Sequence, residues 1–140
     1  MSMNVVVIGY GRFGRHLVQE LQDSGLNPYL TIVDHDEAAF RELPVDFDGL
    51  TLVKDTSDLS LFEDVRIQHT DAFFAITDHP NLNFMLAHVA QELYKVPQVM
   101  ARMPFAEKQQ SFAFFGVTMI NPLMEAARLM VASISEKVGD

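Results

Sequence analysis

Three glycines, Gly9, Gly11 and Gly14, stand at G-x-G-x-x-G spacing directly behind the β-formers Val5, Val6, Val7 and Ile8. Asp34 closes the next apolar run, about 20 residues further on. Residues of these types at this spacing hold phosphate and ribose. Gly9 allows a tight turn out of a strand, Gly11 lets backbone approach a pyrophosphate, and Gly14 lets the following helix lie close to the strand. The phosphates then meet the free N–H groups and the positive dipole end of that helix. A carboxylate at Asp34 accepts from both ribose hydroxyls. His35 follows it, with no arginine there to meet a 2′-phosphate, so adenosine with a free ribose is favoured over NADP. The plainer alternative is that the glycines only make a tight strand–helix turn while Asp34 caps the next helix. Asp36 and Glu37 read as first-turn acids favoured by a helix dipole.

Such a loop needs a parallel sheet to carry it, and the rest of the chain supplies one. Short apolar runs at 5–8, 30–33, 52–53, 73–76, 99–101 and 119–120 read as strands without in/out alternation, as expected for parallel strands covered on both faces. Phe13, Leu17, Val18 and Leu21 share one helical face, and Leu82, Met85, Leu86, Val89 and Leu93 another. Helix stops fall at residues 24–25, at Val96–Pro97, and at Gly116 after a fifth helix. The expected fold is α/β: a Rossmann-like, doubly wound parallel sheet of about six strands over residues 1–120, then a C-terminal helix over 121–140. In that helix Asn121 is the N-cap and Pro122 the first residue, while Leu123, Ala127, Met130, Ile134 and Val138 recur at spacings of three and four. Pattern alone leaves open whether it packs on its own sheet or crosses to a partner subunit.

The totals exclude several function classes. At 140 residues the chain is one domain, and 49% hydrophobic content is that of a globular protein. A net charge of −9 argues against nucleic acid and against direct binding to anionic lipid. Cysteine is absent, so there is no disulfide framework, thiolate nucleophile or zinc ribbon. No signal pattern or membrane-length apolar run is present, which makes a cytoplasmic protein the expectation. His16, His35, His69, His79 and His88 show no ligand spacing, so no metal site is expected. Phe112, Phe114 and Phe115 cannot all point one way from one helix, which suggests a subunit contact for at least one.

Six segments, VIGYGRFG, IVDHD, LVKDTSD, FFAITDHPNLN, VMARM and FGVTMINP, together resemble the RCK family, the regulator-of-potassium-conductance domain also called KTN or TrkA-N. The resemblance runs over residues 4–132, with the motifs in family order and spacing. It implies a Rossmann-like domain that binds NAD(H) or an adenine nucleotide (AMP, ADP or ATP) and gates a potassium channel, transporter or antiporter. By position it implies a phosphate loop of Gly9, Tyr10, Gly11, Arg12, Phe13 and Gly14, with Arg12 reaching terminal phosphates. Asp34, with His35 beside it, holds the ribose. Asp55 and Thr56 line the adenine pocket, and Ala75, Thr77 and Asp78 face the phosphate or nicotinamide side. Asn83 and Arg102 match recurrent family positions.

Three departures bear on the ligand and on the whole protein. Lys54 replaces the family's usual glycine before Asp55. Leu123 stands where several nucleotide-gated members carry a carboxylate that helps a divalent cation, which tilts the expectation toward NAD(H) or a smaller adenine nucleotide. Family members usually continue into a second lobe, so the chain is expected to be either a short subunit or part of a longer protein. Catalysis is not expected: none of Tyr10, Tyr29 and Tyr94 has a lysine four residues on, and no Ser/His/Asp arrangement is readable. The resemblance points instead to a regulatory subunit, a homodimer or higher ring, held at the inner membrane through a membrane-embedded potassium channel or transporter. A small NAD-dependent oxidoreductase, or a non-switching adaptor of a cation antiporter, are the alternatives.

Overall fold

The computed structural model describes residues 3–104, 112–114 and 116–138. Its elements are β1 (Met3–Ile8), α1 (Arg12–Asp23), β2 (Pro28–Asp34), a 3-10 helix at Glu37–Glu42, β3 (Leu50–Val53) and α2 (Leu61–Asp64). A 3-10 turn at Ile67–His69 follows, then β4 (Ala72–Ala75), α3 (Pro80–Glu92), β5 (Gln98–Arg102), β6 (Phe112–Phe114), β7 (Val117–Ile120) and α4 (Pro122–Val138). The sheet runs in the order β3-β2-β1-β4-β5-β7-β6. Six strands are parallel, in agreement with the doubly wound expectation, and β6 adds a seventh, antiparallel to β7.

The short strands are apolar throughout because both faces of the sheet are covered. Val5 and Val7 of β1 pack with Val18 and Leu21 of α1, while Val6 and Ile8 join Phe62, Phe73 and Leu86 on the opposite face. All four β1 residues are essentially inaccessible, each worth about 1.5–3 kcal/mol of apolar burial. Between β3 and β4 the cover is thin, a single turn of α2. Phe62 anchors it by stacking on Phe73 at 5.7 Å and on Tyr94 at 5.3 Å.

Two expectations need correction, and a third falls outside the described side chains. The buried face of α3 is Asn83, Leu86, Ala87 and Ala90, whereas Met85 and Leu93 are exposed. The two alanines let the helix lie close to the sheet, so small residues rather than the largest apolar ones mark its inner face. The fifth helix falls largely on residues 105–111, outside the described residues. Its expected end is instead strand β6, and Gly116 leads a hairpin turn into β7. The aromatic subunit contact of Phe112, Phe114 and Phe115 also lies outside the described side chains.

The C-terminal helix starts as expected. Asn121 Oδ1 accepts from the Met124 N–H at 3.2 Å, the bond of an N-cap. Its own sheet does not cover the helix: residues 126–136 are exposed, including Leu129, Met130, Val131 and Ile134. Among the described residues no helix is long and apolar enough to cross a membrane.

The β1–α1 junction is closely packed. Gly9 has φ +110°, and its N–H donates to the Val33 carbonyl at 2.8 Å. A Cβ on Gly14 would lie 2.4 Å from the Gly9 carbonyl oxygen, closer than backbone atoms tolerate. Gly14→Ala gains about 1 kcal/mol of helix propensity, yet the clash opposes it, so a net loss of about 1–3 kcal/mol is expected in urea unfolding. Unchanged stability would show that α1 does not sit this close. Phe62→Ala should lose about 3–5 kcal/mol by the same measurement, because it removes a fully buried ring that stacks on Phe73 and Tyr94.

Candidate functional site

The C-terminal ends of β1, β2, β4 and β5 open into one cleft, at the point where strand order reverses between β1 and β4. Gly9, Tyr10, Gly11, Phe13 and Gly14 form its floor. Gly11 precedes α1 without a side chain to cap it, and the first intrahelical bond comes only from the Arg15 N–H to the Gly11 carbonyl at 2.9 Å. The N–H groups before it are therefore left for an anion. A Cβ on Gly11 would meet nothing within 4 Å, so the space above this residue belongs to the cleft.

Asp34, at the end of β2, is 8% exposed and firmly oriented. Its Oδ2 accepts from the Tyr10 N–H at 2.8 Å and its Oδ1 from the Asp36 N–H at 2.9 Å. Each carboxylate oxygen keeps a further lone pair, which suits a vicinal diol. His35 Nδ1 lies 3.5 Å from Oδ1. Asp36 is the N-cap of the 3-10 helix, accepting from the Ala38 N–H at 3.0 Å, rather than a first-turn acid, the place that Glu37 takes. The Tyr10 ring stacks on Phe40 at 6.0 Å, and burial pushes its phenol above the ordinary range.

The opposite wall comes from the β4–α3 loop and the end of β5. Asn83, 1% exposed, organises it. Its Oδ1 accepts from the Thr77 N–H at 2.9 Å and the Thr77 hydroxyl at 2.6 Å. Its Nδ2 donates to the carbonyls of Thr77 at 3.0 Å and Arg102 at 3.2 Å. Thr77 Oγ1 also accepts from the His79 N–H at 3.1 Å. Arg102 extends over the Phe13 ring, 5.5 Å from its centroid, and pairs with Asp78 at 3.5 Å.

Most of the residues nominated from the sequence thus meet around one cleft: the loop glycines with Tyr10 and Phe13, then Asp34, His35, Thr56, Thr77, Asp78 and Arg102. Three do not line it. Arg12 is exposed on the first turn of α1, and Ala75 is fully buried within β4. Asp55 turns back on itself, its Oδ1 accepting from the N–H and hydroxyl of Ser57 at 2.9 and 2.7 Å, which holds its carboxyl below the usual range. That turn places buried Thr56 at the cleft instead. Lys54 needs no glycine-like backbone. Its ammonium reaches Asp64 at 2.6 Å, and this hydrogen bond raises it above the ordinary lysine range. Asp36, Ala39, Ile76 and His79 also line the cleft and were not nominated. Each is a neighbour of a nominated residue or sits one helical turn on, which is the signal that was available.

Comparison with known proteins agrees with this architecture. The family model described as the TrkA-N domain matches residues 5–122. The Trk system potassium uptake protein TrkA of Streptomyces coelicolor is 29% identical over 115 residues, which are 82% of this chain and 51% of that protein. The chain spans about half the length of that relative or less of the others. Among solved structures, the TrkA-N domain of the inner membrane protein ybaL from Escherichia coli superposes with a TM-score of 0.74 at 14% identity, covering 94% of this chain and 96% of that one. The Shewanella denitrificans Kef C-terminal domain in its AMP-bound form gives 0.59 at 24% identity, covering 73% and 59%. The GsuK channel bound to NAD gives 0.61 at 13% identity, covering 76% and 19%. With its fold, its glycine loop and this match over most of its length, the chain belongs to the TrkA-N domain family.

Proposed function

We propose that this chain is a nucleotide-sensing regulatory domain of a potassium transport system and that its cleft binds NAD(H) or a small adenine nucleotide. One observation carries the reading: the Asp34 carboxylate, oriented by two backbone N–H groups, stands beside the uncapped start of α1 behind Gly9 and Gly14. That puts a ribose acceptor and a phosphate site side by side in one cleft. The AMP-bound and NAD-bound neighbours of the same fold, and the naming of the relatives for potassium uptake, support it. In this reading Thr77, Asp78 and Arg102 face the phosphate or nicotinamide end and Thr56 the adenine. Leu123 is exposed at the start of α4 and offers no carboxylate for a divalent cation.

The cleft binds its ligand and does not transform it. A bound nucleotide biases two arrangements of a larger assembly by its differential affinity for them, about 1.4 kcal/mol for a tenfold difference. The assembly is at least a homodimer, with the apolar face of α4 against a second copy. It sits on the cytoplasmic side of a membrane-embedded potassium channel or transporter, touching neither nucleic acid nor lipid.

Thermal unfolding with NAD⁺, NADH, ATP, ADP and AMP in turn tests the cleft. A ligand at 100 times its Kd adds about 2.7 kcal/mol, several degrees in Tm. Asp34→Ala should abolish the shift. No shift with any of the five, and no nucleotide released on denaturation, would refute the reading. Gly11→Ala should weaken the same ligand at least tenfold while costing no more than about 1 kcal/mol of stability. For the assembly, light scattering should give twice the 15.8 kDa chain mass, and Met130→Glu with Ile134→Glu should return the monomer. A wild-type monomer at 100-micromolar order would rule out the homodimer.

A further inference from the structure

The cleft is built for an anion, yet its lining is acidic. Asp34, Asp36 and Asp78 line it, and Arg102 is the one guanidinium among the described lining residues. Arg102 is moreover engaged. Its Nη1 lies 3.5 Å from Asp78 Oδ1, while its planar face sits over Phe13. The Phe13 contact fixes where the guanidinium stands, above the first turn of α1 and therefore beside the phosphate position.

Asp78 stays in place although its side chain is 91% exposed. Thr77, the residue before it, is pinned to Asn83 through its N–H, hydroxyl and carbonyl, and the His79 N–H after it bonds to the Thr77 hydroxyl. The same Asn83 amide holds the Arg102 carbonyl. Backbone on both sides of the ion pair is thus tied to one buried side chain, which keeps the Asp78 and Arg102 positions close together. A phosphate chain that extends past the pyrophosphate position toward Arg102 meets this carboxylate beside it.

We propose that Asp78 is the charge-selectivity residue of the cleft, so that the site takes adenine ligands of low net negative charge, a nucleoside monophosphate or a dinucleotide, in preference to a triphosphate. A triphosphate brings two more negative charges than a monophosphate to the side that Asp78 guards. A dinucleotide places a ribose and a nicotinamide there instead, a base that is neutral when reduced and cationic when oxidised. At a separation of roughly 7 Å and an effective dielectric between those of a protein surface and bulk water, one carboxylate penalises an added charge by about three- to tenfold in affinity. The proposal rests on the nucleotide reading of the cleft.

Titration calorimetry at fixed ionic strength, with divalent cations chelated, tests it on AMP, ATP and NAD⁺. Wild type should bind AMP and NAD⁺ more tightly than ATP. Asp78→Asn keeps the side-chain shape and should raise the ATP-to-AMP affinity ratio about three- to tenfold, while NAD⁺, with its cationic nicotinamide, binds no more tightly than before. Asp36→Asn removes one charge from the Asp34 side of the same cleft and keeps a side chain that caps the 3-10 helix, so it should raise the ratio less than Asp78→Asn does. An unchanged ratio in Asp78→Asn, or an equal rise in Asp36→Asn, would overturn the assignment while leaving the nucleotide site standing. Binding of none of the three ligands by wild type or variant would instead remove the nucleotide reading, and the selectivity with it.

Discussion

The bond from the Tyr10 N–H to the Asp34 carboxylate is the constraint around which the site is organised. With the Gly9 N–H donating to the Val33 carbonyl, it fastens the glycine loop to the end of β2 at two successive residues. Neither bond survives a change of register. In the observed pairing Ile8 stands opposite Val33, and a slip of one residue would carry Asp34 past the loop and turn every β2 side chain to the other face. The burial of β1 and β2 on both faces is what forbids that slip. Core packing therefore sets the distance between a phosphate site and a ribose acceptor that are 20 residues apart from Gly14 to Asp34 in the chain.

The two walls of the cleft are fixed by different means. On the Asp34 side the backbone does the work, through N–H groups aimed at one carboxylate. Opposite, a single buried amide, Asn83, satisfies both of its functions against Thr77 and Arg102 and so sets the shape of a loop that has no regular structure. Removing either wall's anchor would leave buried polar groups unmatched, about 1–3 kcal/mol each, so site geometry and stability are held by the same bonds.

Much of this was legible in the sequence, and unevenly. The β1–α1–β2 unit could be read outright because its three glycines, its β-formers and Asp34 each have a separate steric or chemical reason for their place. The face of α3 was misjudged because large apolar side chains were given weight that belongs to Ala87 and Ala90, which bring the helix close to the sheet. β6 is hidden because three strand residues are too few to carry a period. At the site, the resemblance nominates Asp55 and Thr56 together, but a carboxylate two residues before Ser57 closes a turn locally, and only Thr56 reaches the cleft. Asn83 was recognisable only as a position. That it ties two walls together depends on β4 and β5 lying side by side, which no local pattern states.

One further consequence lies in how α4 is attached. Its 17 residues make a rod about 25 Å long, joined to the sheet at β7 through Asn121 and otherwise exposed over residues 126–136. β7 pairs with β5 opposite Arg102, so the rod's base lies one strand away from the nucleotide wall. A tilt of about 10° at that base, within the side-chain adjustments a packed core allows, displaces the far end by about 4 Å. The geometry is that of a long pointer on a short hinge: a change too small to notice at the sheet becomes a displacement of atomic dimensions at the tip.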